Sequence, residues 1–172
     1  MNKRILLSLI LVNMLIIVLV FFLPLFKVFT FSDHRSDHPK IYYILMEDEQ
    51  AFEIRYVHSI FLSNVFEQYR VTPRDQIQFL SMNYEDVGIG LPGYAEQGET
   101  LTVEDGIYTL TFENRVVDSF VLFVGDVDAD LAFRYKGEEV NLKKHLTKGK
   151  SYLFEVERIS LYDMMKGVKL NG

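Results

Sequence analysis

The strongest constraint on this chain lies at its start, where the run ILLSLILVNMLIIVLVFFL from Ile5 to Leu23 carries no charged residue in 19 positions. A helix needs roughly 20 apolar residues to cross the hydrocarbon core of a bilayer. Ser8 and Asn13 are the polar interruptions, each short enough to be tolerated in a span. Lys3 and Arg4 precede the run, so the positive-inside rule puts the N-terminus in the cytoplasm and everything after Pro24 on the far side. A cleaved signal peptide has an apolar region of about 7–15 residues ending in small residues. The exit here reads LPLFKVFTFSD and offers no such site. The expectation is an uncleaved signal-anchor over residues 1–29, crossing the membrane once.

Residues 30–40 are expected to be a polar tether. They contain a D-H-x-x-D-H pattern, Asp33, His34, Asp37 and His38. Metal capture by these four is conceivable, but free-standing His/Asp pairs lack the outer hydrogen bonds that orient ligands. The reading is a solvated linker, with no metal and no cofactor.

Charge narrows the partners. Lys3, Arg4 and Lys27 are the charged residues of the first 29 positions, so of 18 basic and 24 acidic residues the remainder keeps 15 against 24, a net of −9. Nucleic-acid binders need clustered Lys/Arg to displace counterions from phosphates, so no nucleic-acid partner is expected. The chain has no cysteine. That excludes disulfides, thiolate chemistry and a lipoprotein-type anchor.

From residue 41 to 172 the apolar residues fall in short runs rich in Val, Ile, Phe and Tyr, spaced by Gly, Asp, Asn and Pro, which is a strand-and-turn pattern. Strands are expected at 41–46, 51–60, 65–72, 76–82, 108–113, 116–124, 131–135, 138–142 and 150–158. In 51–60, Phe52, Ile54 and Tyr56 alternate with Glu53 and Arg55, as in a half-buried antiparallel strand. The expected fold class is all-β, an antiparallel sandwich or barrel behind one N-terminal transmembrane helix. The stretch 87–106 holds Gly88, Gly90, Pro92, Gly93, Gly98 and Gly106. It reads as an irregular loop, the kind of segment where function concentrates.

Three pieces occur in order: Tyr56-Val-His58-Ser59, then Val65-Phe-Glu67, then Gly88-Ile-Gly90-Leu91-Pro92. Together, over roughly residues 50–95, they resemble the DUF1850 family of uncharacterised bacterial proteins. Members of that family are often encoded beside TRAP-type solute transporters of the TAXI subclass. The resemblance therefore implies a bacterial cell membrane, with transporter subunits or a solute-binding protein as partners. It implies no activity.

Read from the residues alone, a 51–60/65–72 hairpin turning at Ser63-Asn64 sets His58 opposite Tyr69 and Ile60 opposite Glu67, making His58 and Glu67 diagonal neighbours. They form either a buried polar pair or part of a ligand site. The expected site comprises His58, Ser59, Glu67, Gly88, Gly90, Leu91 and Pro92. Ser59 points to the other face from His58, so the two are not a nucleophile and base. No G-x-S-x-G elbow is present, and no enzyme or catalytic residue is expected. The glycine-rich piece lacks the G-K-[ST] and helix of a phosphate loop. Its glycines are read as turn formers, with a backbone nest for a carboxylate as the alternative. Asp126, Asp128 and Asp130 copy the start of a calcium loop, but Leu131 stands where the required Gly belongs. Residues 160–172 are read as a short helix or a tail.

Overall fold

The computed structural model describes residues 3–36, 39–88 and 90–171. Helix α1 spans Lys3–Phe22, with none of its residues buried. By length and a mean hydropathy of 3.1 it meets the requirement of a membrane span or a signal sequence. Pro24 ends it, because the proline ring disfavours helical backbone at the preceding residue.

Thirteen strands follow: β1 Phe26–Asp33, β2 Ile41–Leu45, β3 Ala51–Val57, β4 Asn64–Val71, β5 Ile77–Tyr84, β6 Glu99–Glu104, β7 Ile107–Phe112, β8 Val116–Val117, β9 Ser119–Val124, β10 Leu131–Tyr135, β11 Glu138–Asn141, β12 Lys150–Ile159 and β13 Val168–Lys169. A 3-10 turn occupies Leu142–Lys144, and helix α2 spans Leu161–Lys166. One sheet runs β13-β2-β1-β12-β9; the other runs β11-β10-β3-β4-β5-β7-β6, with β8 beside β5. All pairings are antiparallel except β13 with β2. Both sheets end in open edge strands, so the expected choice between sandwich and barrel resolves to a sandwich.

The core between the sheets is aromatic. Phe29 of β1 sits 5.0 Å from the rings of both Phe52 and Phe133 and 5.1 Å from Tyr135. Phe154 of β12 packs at tilted angles against Phe52, Phe120 and Phe133. A second cluster, Val65, Tyr84, Leu91, Leu110 and Phe112, lies on β4, β5 and β7, and the chain after β5 contributes its Leu91.

All nine expected strands are present, 116–124 being split in two. Two corrections concern the start and the loop. β1 crosses the boundary expected at residue 29 and fills the first part of the stretch read as a tether, pairing with β2 on one side and β12 on the other. Val28 and Phe29, expected in the anchor, and Thr30 and Phe31, expected in the tether, are all fully buried in the sandwich. Within 87–106, the residues from Glu99 onward form β6 against β7, so the irregular stretch is shorter than expected. Residues 160–172 contain a true helix, α2, whose N-terminus is closed by a Ser160/Asp163 capping box.

Three pairings orient the molecule. Phe26 at the start of β1 pairs with Ile159 at the end of β12. Lys150 at the other end of β12 pairs with Val124 of β9. Lys27 reaches the β4–β5 turn through Asp75 at 2.6 Å. The β4–β5 turn is therefore at the helix end, and the β3–β4 turn and the 125–130 loop are at the remote end. Eight strand residues separate the ends by roughly 25 Å. Tyr162 of α2 packs on Phe21 and Phe22, joining α1 to the near end.

Candidate functional site

The β3–β4 hairpin is the first determinant of the site, and its register differs from the expected one. Ile54 stands opposite Glu67, Tyr56 opposite Val65 and Val57 opposite Asn64. His58 donates its N–H to the Ser63 carbonyl at 2.9 Å, and Leu62 donates to the His58 carbonyl. The turn therefore spans 59–62, with Leu62 at φ 56°, and is longer than the Ser63-Asn64 turn that was expected. The shift is an even number of residues, so facing is preserved while neighbours change. Glu67 is diagonal to Phe52 and Tyr56, and His58 is not its neighbour.

The seven expected site residues thus separate into two groups. His58, Gly88, Gly90, Leu91 and Pro92 belong to a clasp at the remote end. The His58 ring stacks on Phe61 at 5.2 Å, and its Nδ1 accepts the Phe61 N–H at 3.4 Å. Phe61 in turn covers Gly88, where a Cβ would fall 2.4 Å from the ring. Gly88 is thus required by close approach, whereas Gly90 adopts φ +90° in the turn that follows. The Leu91 N–H closes this turn onto the Gly88 carbonyl at 3.0 Å, and the Tyr84 hydroxyl donates to the Pro92 carbonyl at 2.5 Å. Here the loop is held by side chains and covers apolar residues of the second core cluster.

Glu67 belongs to the second group. Its carboxylate lies in a cavity of about 560 Å³ between β9 of one sheet and β3, β4 and β5 of the other. The Tyr69 hydroxyl donates to Oε2 at 2.5 Å, and the Tyr56 hydroxyl to Oε1 at 3.5 Å. Phe79 and Phe120 close the floor, each packed on Tyr69 at 5.0 and 5.5 Å. A β-bulge between Gln68 and Tyr69 shifts the β4–β5 register beside the site, bringing Tyr69 against Phe79. Ser59 lines the rim with Asp126, Val127, Asp130 and Lys143. The rim is braced: Lys143 Nζ donates to the Val127 carbonyl at 2.8 Å, and Arg55 reaches Asp130 from the outer face at 3.4 Å. Phe123 stands at the edge, 60% exposed.

Burial pushes the Glu67 carboxyl above the usual glutamate range; the Tyr69 and Tyr56 hydroxyls and the nearby Arg115 guanidinium pull the other way. Burial, reinforced by Glu67, also raises both tyrosines. Arg115 lies over Phe79 at 4.4 Å from its centroid. The cavity size falls within the roughly 300–1,000 Å³ of small-molecule sites, and its lining, mostly apolar with a few convergent polar groups, is of the same kind.

The expected metal reading of the D-H-x-x-D-H stretch meets a different structure at Asp33, which ends β1 and pairs with Lys150 at 2.6 Å. Asp37 and His38 lie outside the described residues. Among the described residues, no group of three or more His, Asp or Glu side chains could hold a metal ion.

Of the expected site residues, Glu67 and Ser59 line this cavity; Tyr56, Tyr69, Phe79, Phe120 and Lys143, which also line it, were not among them. Parity alone links Tyr56, Glu67 and Tyr69 to one face once β3 and β4 are paired. The β9 wall depends on the packing of two sheets, which no local pattern reports.

A family model described as a domain of unknown function (DUF1850) matches residues 52–142. The match covers the β3–β8 segment from Phe52, β9, β10 and β11, and so every described cavity-lining residue except Lys143. No curated protein and no solved structure matches the chain.

Proposed function

This chain belongs to the DUF1850 family, a family of unknown function, and we propose that it is a non-enzymatic, membrane-anchored binding domain that assists a TRAP-type solute transporter of the TAXI subclass. In this reading α1 is a single-pass anchor in a bacterial cell membrane, with Lys3 and Arg4 on the cytoplasmic side. The β-sandwich stands on the outer face. Its partners are the transporter's membrane subunits or its solute-binding protein.

The observation that carries the reading is the placement of the Glu67 cavity. Three residues, Leu23 to Leu25, separate α1 from β1. An anchor so short holds the sandwich against the bilayer and turns the cavity mouth, at the opposite end, toward incoming solute. A binding role in place of a catalytic one is supported by Glu67 itself, whose two oxygens are each engaged by a tyrosine hydroxyl. Such a carboxylate holds a partner in place.

The test is co-purification. The full chain carrying a C-terminal tag is expressed in its native host and extracted in mild detergent, and bound proteins are identified by mass spectrometry. Recovery of transporter subunits or a solute-binding protein is the expected result. Recovery of the chain alone, with the transporter present in the same membranes, contradicts the accessory role. A second reading then takes over, a stand-alone extracytoplasmic binding module, which is favoured by a cavity of about 560 Å³, a size suited to a small molecule.

A further inference from the structure

We infer that the Glu67 cavity selects an organic cation, an alkylammonium of the size of choline or smaller, over neutral and anionic solutes. The inference rests on the binding reading above and adds the class of ligand.

It follows from the hydrogen-bonding inventory of the interior. Both tyrosine hydroxyls spend their protons on Glu67, at 2.5 Å from Tyr69 and 3.5 Å from Tyr56. What these three side chains present to a ligand is therefore lone pairs, on two carboxylate oxygens and two phenolic oxygens. An anion or a carbonyl placed there meets acceptors. An ammonium supplies donors, or a shell of positively polarised methyl groups, to face these acceptors.

The rest of the wall agrees. Tyr69, Phe79 and Phe120 offer aromatic faces, which attract cations through their quadrupoles most strongly where water is excluded. The protein already places one cation on this cluster, since Arg115 lies 4.4 Å from the Phe79 centroid. At the rim the one basic side chain among the described lining residues, Lys143, is tied to the Val127 carbonyl, and Asp126 and Asp130 line the same rim. The mouth is thus no barrier to a cation.

The test is isothermal titration calorimetry of the full chain in detergent at pH 7, using choline, its neutral carbon isostere 3,3-dimethyl-1-butanol, butylamine, butanol and glutarate. Choline or butylamine is expected to bind at least about tenfold more tightly than its neutral counterpart. E67Q, which keeps the size and one acceptor, is expected to erase that difference. Binding of glutarate or of a neutral alcohol as tightly as the ammonium overturns the cation inference and leaves the binding reading standing. Heat from none of the five overturns both.

Discussion

Phe29 decides whether the domain begins at β1 or after a linker. It is 0% exposed and ringed by Phe52, Phe133, Tyr135 and Phe154 at 5.0 to 6.1 Å. Replacing it with alanine removes a fully buried aromatic ring from the midpoint of the sandwich, a change that costs about 3–5 kcal/mol through lost transfer energy and the cavity left behind. Domains of this kind have about 5–15 kcal/mol in total. F29A should therefore remove about a fifth or more of the stability and lower Tm by roughly 10 °C. Urea unfolding of the full chain in detergent, followed by near-ultraviolet circular dichroism of the tyrosines, measures it. The midpoint should fall with the slope unchanged, since the same surface is exposed on unfolding. R35A, at an exposed residue just beyond β1, is the control and should stay within about 0.5 kcal/mol. If F29A cost no more than R35A, residues 26–33 would not be an inner strand and the assignment of the core would be wrong.

The remaining predictions concern the clasp and the carboxylate. G88A should cost about 1 kcal/mol by pushing the Phe61 ring aside; in an F61A background the same change should be close to silent, and a double-mutant cycle by thermal unfolding reads the coupling. Glu67 has its folded pKa raised by burial, so it favours the folded state fully below the pKa of the unfolded chain, and that contribution is lost as pH rises through the folded pKa. Relative to E67Q, the natural chain should lose stability as pH rises from about 4 to 7; a difference that is flat or of opposite slope contradicts the burial of the carboxyl. Y69F removes the hydroxyl that donates to the buried Glu67 carboxyl and should cost about 1–3 kcal/mol by chemical denaturation; a cost within about 0.5 kcal/mol contradicts that bond.

The alternating strands from Ile41 onward were legible because each carries its own period-two pattern between turn residues. Phe52-Glu-Ile-Arg-Tyr is the clearest case, and its apolar residues do face the core. β1 was hidden by its neighbour: Phe26-Lys-Val-Phe-Thr-Phe follows the apolar helix after a single proline, and its residues are buried on both faces, so it shows neither alternation nor a polar boundary. β6 was hidden because glycines frame it and its side chains are mostly exposed. The hairpin register was missed because His58 to Ser63 closes as a wider turn with a left-handed Leu62, a conformation that leucine does not advertise. Parity survived that error, so Glu67 was placed on the correct face with the wrong companions. The other half of the cavity comes from β9, about fifty residues further along the chain, and is created only when the sheets stack.

The most direct test of the cavity as a binding site uses the absence of tryptophan from the chain. Phe123→Trp places a single fluorophore on the cavity wall at a residue already 60% exposed. The full-length variant in detergent is titrated with amines, polyols and carboxylates while its emission is recorded. The account predicts a saturable change with at least one class, weakened at least about tenfold when Glu67→Gln is added, as expected for loss of a charged partner in a desolvated site. Emission that no solute changes, or saturation that Glu67→Gln leaves untouched, would contradict the claim that this carboxylate and its tyrosines form a ligand site.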